Sequence, residues 1–292
     1  MSFYSIEEIL QECKKRDLTF AQVVIESDMQ EREVSMEDSL KKMKQMWEAM
    51  VSASNSYEKA LRSNSGLVGG DGGKMEEYLQ SQKTICGTFV SKVIAQALQM
   101  GESNACMKRI VAAPTAGACG VLPAVLIPYT KEYQVSEEEV LHALFVAAGI
   151  GQVIASRAFI AGAAGGCQAE VGSASAMAAG ALVSLKGGDA TQIAHACAMA
   201  LKAVLGLVCD PVAGLVEVPC VKRNVMGAVN ALSVADMVLA GIKSKIPADE
   251  VIDAMREVGE KMDVSLRETA KGGLATTPSA LQFTDQIHNS IK

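Results

Sequence analysis

The chain has 292 residues, 49% hydrophobic but only 4% aromatic, so it can bury a sizeable core made largely of small side chains. Its formal net charge of −6 disfavours a nucleic-acid partner, which would need a basic face. The first residues are charged from Glu7 onward, which argues against a secretory signal. The longest uncharged stretch, residues 110–130, is interrupted by prolines and predicts no membrane span. We therefore expect a cytoplasmic protein that binds neither nucleic acid nor membrane.

The N-terminal part, residues 1–62, is rich in charged side chains and in helix-start signals. Thr19 with Gln22 fits the capping-box spacing, in which two side chains satisfy free N–H groups at a helix start. Residues 37–61 predict one amphipathic helix whose Met-rich face contacts the core or a partner.

A glycine-rich segment, NSGLVGGDGGK at residues 64–74, follows. Each glycine costs about 1 kcal/mol relative to alanine in a helix, so the segment predicts a loop. Exposed backbone N–H groups in such a loop are suited to binding carboxylates, although a flexible linker has the same composition. No GK[ST] sequence follows at the spacing of a nucleotide-binding loop.

Helix signals become strong from Ser136, which forms a capping box with Glu139. Asp189 predicts the start of another helix, which we expect to end at Cys209. Pro247 is placed to begin a last amphipathic helix.

Alternation with a period of two residues, the mark of a half-buried strand, is hard to find in the chain. The sequence therefore predicts an all-α fold: a bundle of buried Ala/Gly-rich helices with Gly/Pro-rich loops. We expect one domain over residues 1–292, in which residues 1–62 form a charged helical N-terminal part and residues 63–292 form the core.

The eight cysteines, without a signal peptide, are better interpreted as buried thiols or metal ligands than as disulfides. Cys197 lies on the apolar face of its predicted helix and is assigned to the core. Cys13, Cys86 and Cys106 have no neighbouring ligand residue and are interpreted as structural or incidental.

Cys167, Cys209 and Cys220 each lie at a predicted break between helices. Thiolates at helix ends can converge, and helix N-termini supply N–H groups that stabilise anionic sulfur. Three thiolates would leave one iron of a cluster open for Lewis-acid catalysis. Their spacing matches no common zinc or ferredoxin pattern, so the residues alone leave buried structural thiols as an alternative. Cys119, in APTAGACG, is a rival ligand.

Five stretches of the sequence, and the order in which they occur, resemble a known family. They are SGLVGGDGGK, VAAPTAGACGVLPAVL, GAAGGCQAEVGSASAMAAGAL, GLVCDPVAGLVEVPCVKRN and RETAKGGLATTP, within residues 65–278. The chain resembles the alpha chain of the two-chain, iron–sulfur-dependent L-serine dehydratases, and the block CDPVAGLVEVPC is highly specific. The APTAGACG loop departs from the family pattern, because many members have Asn and Ala in place of Ala116 and Cys119.

The resemblance implies that Cys167, Cys209 and Cys220 hold a 4Fe–4S cluster whose fourth iron meets the substrate. It also implies a separate beta chain and the conversion of L-serine to pyruvate and ammonia. The open iron would assist loss of the hydroxyl group, and a base would remove the α-proton.

The chain offers few candidates for that base. Its three histidines are interpreted as structural, so we expect the base on the partner chain; they are His142, His195 and His288. Candidate substrate-binding residues lie in the glycine-rich loop, in APTAGACG and beside the last cysteine; they are Ser65, Gly66, Thr115, Lys222 and Arg223. For the two cations, the alternatives are surface charge and pairing with Glu217.

Three other functions are compatible with parts of the sequence. A different cluster-dependent hydro-lyase acting on a hydroxydicarboxylate would need more cationic groups than the Arg-poor central region offers. A non-catalytic helical scaffold would carry the thiols merely buried. A membrane carrier is disfavoured by the interrupted apolar runs.

Overall fold

The structure, a computed structural model, describes residues 3–290. Over this range the chain forms thirteen α-helices and no strand, which confirms the all-α prediction. The helices are α1 Ile6–Arg16, α2 Phe20–Arg32, α3 Met36–Asn55, α4 Asp71–Gln80, α5 Gly87–Ala105, α6 Val121–Tyr133, α7 Glu137–Arg157, α8 Gly162–Gly165, α9 Ser173–Leu185, α10 Ala190–Lys202, α11 Cys220–Leu239, α12 Ala248–Lys261 and α13 Pro278–Ser290. Short 3₁₀ turns lie at Ala116–Ala118, Val212–Gly214, Val264–Leu266 and Gly273–Thr276, and a π turn at Gln168–Gly172.

The predicted helix starts are confirmed. Thr19, Ser136 and Asp189 each accept a hydrogen bond from the backbone N–H three residues later, and the capping box is complete in all three. Pro247 is the N-cap of α12. These signals succeed because a cap satisfies groups within its own first turn and needs no tertiary partner.

Two predicted helix ends are wrong. The first amphipathic helix ends at Asn55, not at residue 61. The helix capped by Asp189 ends at Lys202, so Cys209 lies in an extended segment beyond it. Gly206 lies between the helix and Cys209 with a φ of 83°, a left-handed conformation that favours glycine.

The glycine-rich segment is only partly a loop, because α4 begins at Asp71 within it. The N–H groups of Asp71 and Gly72 donate to the buried carboxylate of Glu102, at 2.6 and 3.2 Å. A Cβ on Gly72 would lie 2.6 Å from Gln99 Cγ. The helix cost of glycine is therefore offset by a carboxylate at the helix N-terminus and by close packing on α5.

Helix α9 lies at the centre of the bundle, packed by α6, α7, α10 and α11. Its residues are buried from Ser173 to Val183. Small residues allow this close approach: a Cβ on Gly180 would collide with Ile150 of α7. The charged helices α2 and α3 pack on the outer side of α7.

One helix, α7, is long and apolar enough to cross a membrane by length and composition alone. Within the described residues, 67% of its apolar window is buried by other helices. The core helix of a water-soluble protein has the same composition, so this helix is weak evidence for a span.

Candidate metal centre

Two of the predicted ligands meet beside an acidic residue that sequence analysis did not single out. Ligand atoms of Cys167, Glu170 and Cys209 all lie within 4.8 Å of one another. Cys167 precedes the π turn that leads into α9. The one available signal for Glu170 was its i+3 spacing from Cys167, which places both side chains on one face of a helical turn.

Backbone bonds to a distant segment fix Cys209. Its N–H donates to the carbonyl of Leu266 at 2.8 Å, and its carbonyl accepts from the N–H of Glu268 at 2.7 Å. The third predicted ligand, Cys220, is the buried first residue of α11.

The thiol of Cys220 lies outside the group of closest ligand atoms, but the charges of that group affect its pKa. Burial, followed by the negative charges of Cys167 and Glu170, raises its pKa to about 12. The charges of Cys167 and Glu170 therefore act on the thiol of Cys220. A four-iron cluster is wider than a single ion, so its thiolates are spread further apart than ligands of one ion.

The two closest thiols differ in proton affinity. The Cys209 thiol and the Arg223 guanidinium donate to the sulfur of Cys167, and the bond from Cys209 is the main cause of the lowered pKa of Cys167. Cys209 holds its proton in that bond, so its own pKa is raised. Binding a metal to these two sulfurs would release the protons that they hold.

Arg223 is held in place from two further directions. Its Nη2 lies 2.9 Å from Asp210 Oδ1, with both side chains largely buried. Its Nη1 donates to the carbonyl of Val208 at 2.8 Å. The arginine thereby places a permanent positive charge beside the sulfur of Cys167.

Two glycines bring bare backbone up to the carboxylate of Glu170. A Cβ on Gly162 would lie 2.7 Å from Cys209 Sγ and 3.1 Å from Glu170 Oε2, and one on Gly117 would lie 2.9 Å from Oε2. The other oxygen of Glu170, Oε1, accepts a hydrogen bond from Thr115 at 2.8 Å. Burial raises the pKa of Glu170, and the bond from Thr115 opposes that rise.

Asn224 ties the 3₁₀ turn of APTAGACG to the start of α11. Its side-chain amide donates to the carbonyls of Gly117 and Cys220 at 2.8 and 2.9 Å, and its oxygen accepts from Gly120 at 2.8 Å. Sequence analysis missed this residue because all of its roles except the bond to Cys220 depend on contacts distant along the chain.

The residues present fit an iron–sulfur group. Buried sulfurs supply anionic ligands, and the guanidinium beside one of them supplies positive charge. At residues 117 and 162, glycine avoids side chains that would collide with Glu170 and Cys209. These are the features that a thiolate-bound cluster needs around it.

The predicted substrate-binding residues occupy different surroundings. The hydroxyl of Ser65 donates to Glu217 and accepts from the N–H of Leu67, whereas Gly66 has a φ of 77° and open space beside it. Lys222 is 74% exposed and lies 3.3 Å from Asp71. Neither predicted cation forms an ion pair with Glu217, whose carboxylate is bonded instead by serine hydroxyls.

The remaining cysteines and the histidines stand apart from the group of closest ligand atoms. The buried thiol of Cys119 donates to the carbonyl of Met100 at 3.9 Å. Cys197 is fully buried on α10, as predicted. His142 and His195 are half-buried on α7 and α10, and His288 is exposed on α13.

Comparisons with known proteins identify the family of the chain. A family model described as "Serine dehydratase alpha chain" matches residues 15–275. The chain is 45% identical over 285 residues to a "Probable L-serine dehydratase, alpha chain" of Bacillus subtilis, covering 98% of this chain and 95% of that protein. It is 43% identical over 269 residues to the "L-serine dehydratase, alpha chain" of Peptoniphilus asaccharolyticus, covering 92% of each. The match to "L-serine dehydratase 2" of Escherichia coli is 45% identical and covers 61% of this chain but 40% of that protein. The chain therefore belongs to the serine dehydratase alpha chain family.

Proposed function

We propose that this chain is the alpha subunit of an L-serine dehydratase, a lyase that converts L-serine to pyruvate and ammonia. The observation that carries the proposal is the convergence of buried Cys167 and Cys209 beside the guanidinium of Arg223. The names of two relatives that match nearly end to end support the same activity.

In this proposal Cys167, Cys209 and Cys220 hold a 4Fe–4S cluster in which one iron has no protein thiolate. The cluster supplies a Lewis acid for departure of the substrate hydroxyl group. Removing the side chain of any one of the three would leave too few thiolates to hold it. Cys119 is assigned no ligand role, because its thiol bonds to the Met100 carbonyl.

The other residues of the site prepare the ligands and exclude water. Arg223 favours the thiolate form of Cys167 and so lowers the cost of placing an anionic sulfur in a buried site. The glycine backbone at residues 117 and 162 shapes the wall without filling it. A site of low dielectric strengthens every charge interaction made inside it.

Substrate contacts are proposed for the residues singled out in the sequence, which are Ser65, Gly66, Thr115, Lys222 and Arg223. Thr115 has the most direct support, because its hydroxyl bonds to Glu170 beside the cysteines. The cations would attract the serine carboxylate as the substrate approaches.

A separate beta chain completes the enzyme in this proposal and supplies the base that removes the α-proton. The support is twofold. The printed names of the relatives that match end to end include "alpha chain", whereas a relative named without a chain is much longer than the match. We also propose that the enzyme is cytoplasmic and contacts neither nucleic acid nor membrane.

The decisive experiment is anaerobic coexpression of the chain with its beta chain, followed by a pyruvate assay with L-serine and measurement of iron and sulfide. Replacing Cys167, Cys209 or Cys220 by serine should abolish both the brown colour and the turnover. Cys197→Ser is the matched control, because that thiol is equally buried but lies in the core, and it should spare both properties.

Each alternative has a distinct outcome. A colourless wild-type protein would favour the non-catalytic scaffold, and a coloured protein that turns over only a hydroxydicarboxylate would favour a different hydro-lyase. Loss of colour in Cys119→Ser alone would show that the ligand assignment is wrong.

A further inference from the structure

The carboxylate of Glu170 lies beside the cysteines without a cation of its own. Its hydrogen-bond donors are the hydroxyl of Thr115 and the backbone of Gly162. Among residues 3–290, no lysine, arginine or histidine forms an ion pair with it. Arg223, the cation that reaches Cys167, is engaged by Asp210 and by the Val208 carbonyl.

A carboxylate can accept about four hydrogen bonds, and Glu170 uses only part of that capacity. Leaving a partly buried anion unpaired is costly, and such groups are normally matched by an opposite charge. Oε1 is held by Thr115 at 2.8 Å, so the position of the carboxylate is fixed. The site therefore presents an oriented anion with unused hydrogen-bond capacity for a cationic donor.

We propose that Glu170 binds the α-ammonium group of L-serine and that Thr115 orients the carboxylate of Glu170 for this contact. The assignment rests on the proposed function, because it takes the amino acid as the molecule that binds beside Glu170. It gives a partner to the α-ammonium group of the substrate, which neither the cysteines nor Arg223 would bind.

The contact would make Glu170 a determinant of specificity for amino acids. A hydroxy acid without the ammonium group would leave the carboxylate unpaired, and sites built around such a polar contact reject analogues that lack it. A role of Glu170 as a fourth ligand would instead close the iron that the proposed reaction needs open.

The test compares Glu170→Gln with Glu170→Asp in the complex of alpha and beta chains. The probes are L-serine as substrate and 3-hydroxypropanoate, which lacks only the amino group, as inhibitor. Because a charge-assisted hydrogen bond would be lost, Glu170→Gln should raise the KM for L-serine roughly 10- to 100-fold. Iron and sulfide content, and the inhibition constant of 3-hydroxypropanoate, should remain within about twofold of wild type.

Glu260→Gln is the matched control, because Glu260 is exposed on α12, and it should change none of these quantities. Glu170→Asp keeps the charge but shortens the side chain, so it should raise the KM for L-serine less than Glu170→Gln does. If the glutamine variant does not fold, the aspartate variant decides by the same comparison of substrate and inhibitor.

Three results would overturn the assignment. Loss of iron in Glu170→Gln would identify a metal ligand, a fall in kcat at unchanged KM would identify a proton-transfer group, and equal weakening of both probes would identify a structural role. Failure of the wild-type complex to turn over L-serine would refute the proposed function itself, and is distinguished from these results because it is seen before any substitution is made.

Discussion

Removing the arginine of the candidate metal centre should destabilise the fold far more than removing a similar arginine at the surface. Arg223 lies 2.9 Å from Asp210, and the two side chains are 14% and 4% exposed. Arg157 pairs with Asp253 at 2.7 Å, but those side chains are 31% and 39% exposed. These two Arg–Asp pairs therefore differ strongly in burial.

The expected magnitudes follow from that difference. Arg223→Met would leave the carboxylate of Asp210 buried without its cation, and breaking a buried pair costs about 3–5 kcal/mol of unfolding free energy. Arg157→Met should cost about 1 kcal/mol or less, because water replaces the partner of an exposed carboxylate. Arg157 donates two hydrogen bonds to Asp253, at 2.8 and 2.7 Å. We still expect Arg157→Met to cost less unfolding free energy than Arg223→Met, because the pair is exposed.

The assay is urea unfolding of the cluster-free chain under reducing, anaerobic conditions, with the slope of free energy against urea checked for constancy. Adding Asp210→Asn to Arg223→Met should recover part of the loss, because the stranded charge is removed. Equal losses for the two single arginine variants, or no recovery in the double variant, would refute the reasoning from burial.

Further predictions concern the walls of the site and the buried thiols. Gly162→Ala should abolish iron binding while the helical signal in circular dichroism persists, because its Cβ would lie 2.7 Å from Cys209 Sγ; retained iron would contradict this. Asn224→Ala should lower the unfolding free energy by about 2–3 kcal/mol, because the buried N–H of Gly120 and carbonyl of Gly117 lose their partner; a loss under about 1 kcal/mol in urea would show that water replaces it. Burial raises the pKa of Cys197 from 9.0 to about 12, so stability that is complete below pH 9 should fall as pH rises toward 12. Unfolding titrations of Cys197→Val should show a shallower fall, by up to about 1.4 kcal/mol per pH unit, and an unchanged slope would contradict the burial argument.

The sequence by itself determined the helical class and the helix starts that carry a side-chain cap. Caps such as those at Thr19 and Ser136 act over three residues, so the information lies within one turn. Burial of Cys197 also followed from local periodicity, because one face of α10 is apolar. The start of α4 at Asp71 was not predictable, because it depends on the distant carboxylate of Glu102. The ends of α3 and α10 were also predicted too far along the chain.

Only the tertiary structure decided what lies around the cysteines. Backbone bonds to Leu266 and Glu268 fix Cys209, and the N–H of Gln168 donates to the carbonyl of Leu207, which joins the segments that carry Cys167 and Cys209. No local pattern encodes contacts across such separations. Arg223, interpreted from sequence as a candidate for the substrate carboxylate, lies against Cys167 and Asp210. The role of Glu170 also depends on tertiary structure, because its neighbours Cys209 and Thr115 come from other segments of the chain. Helix capping and apolar periodicity depend on residues that are close in the sequence. The electrostatics of a buried site depend instead on which distant segments pack together.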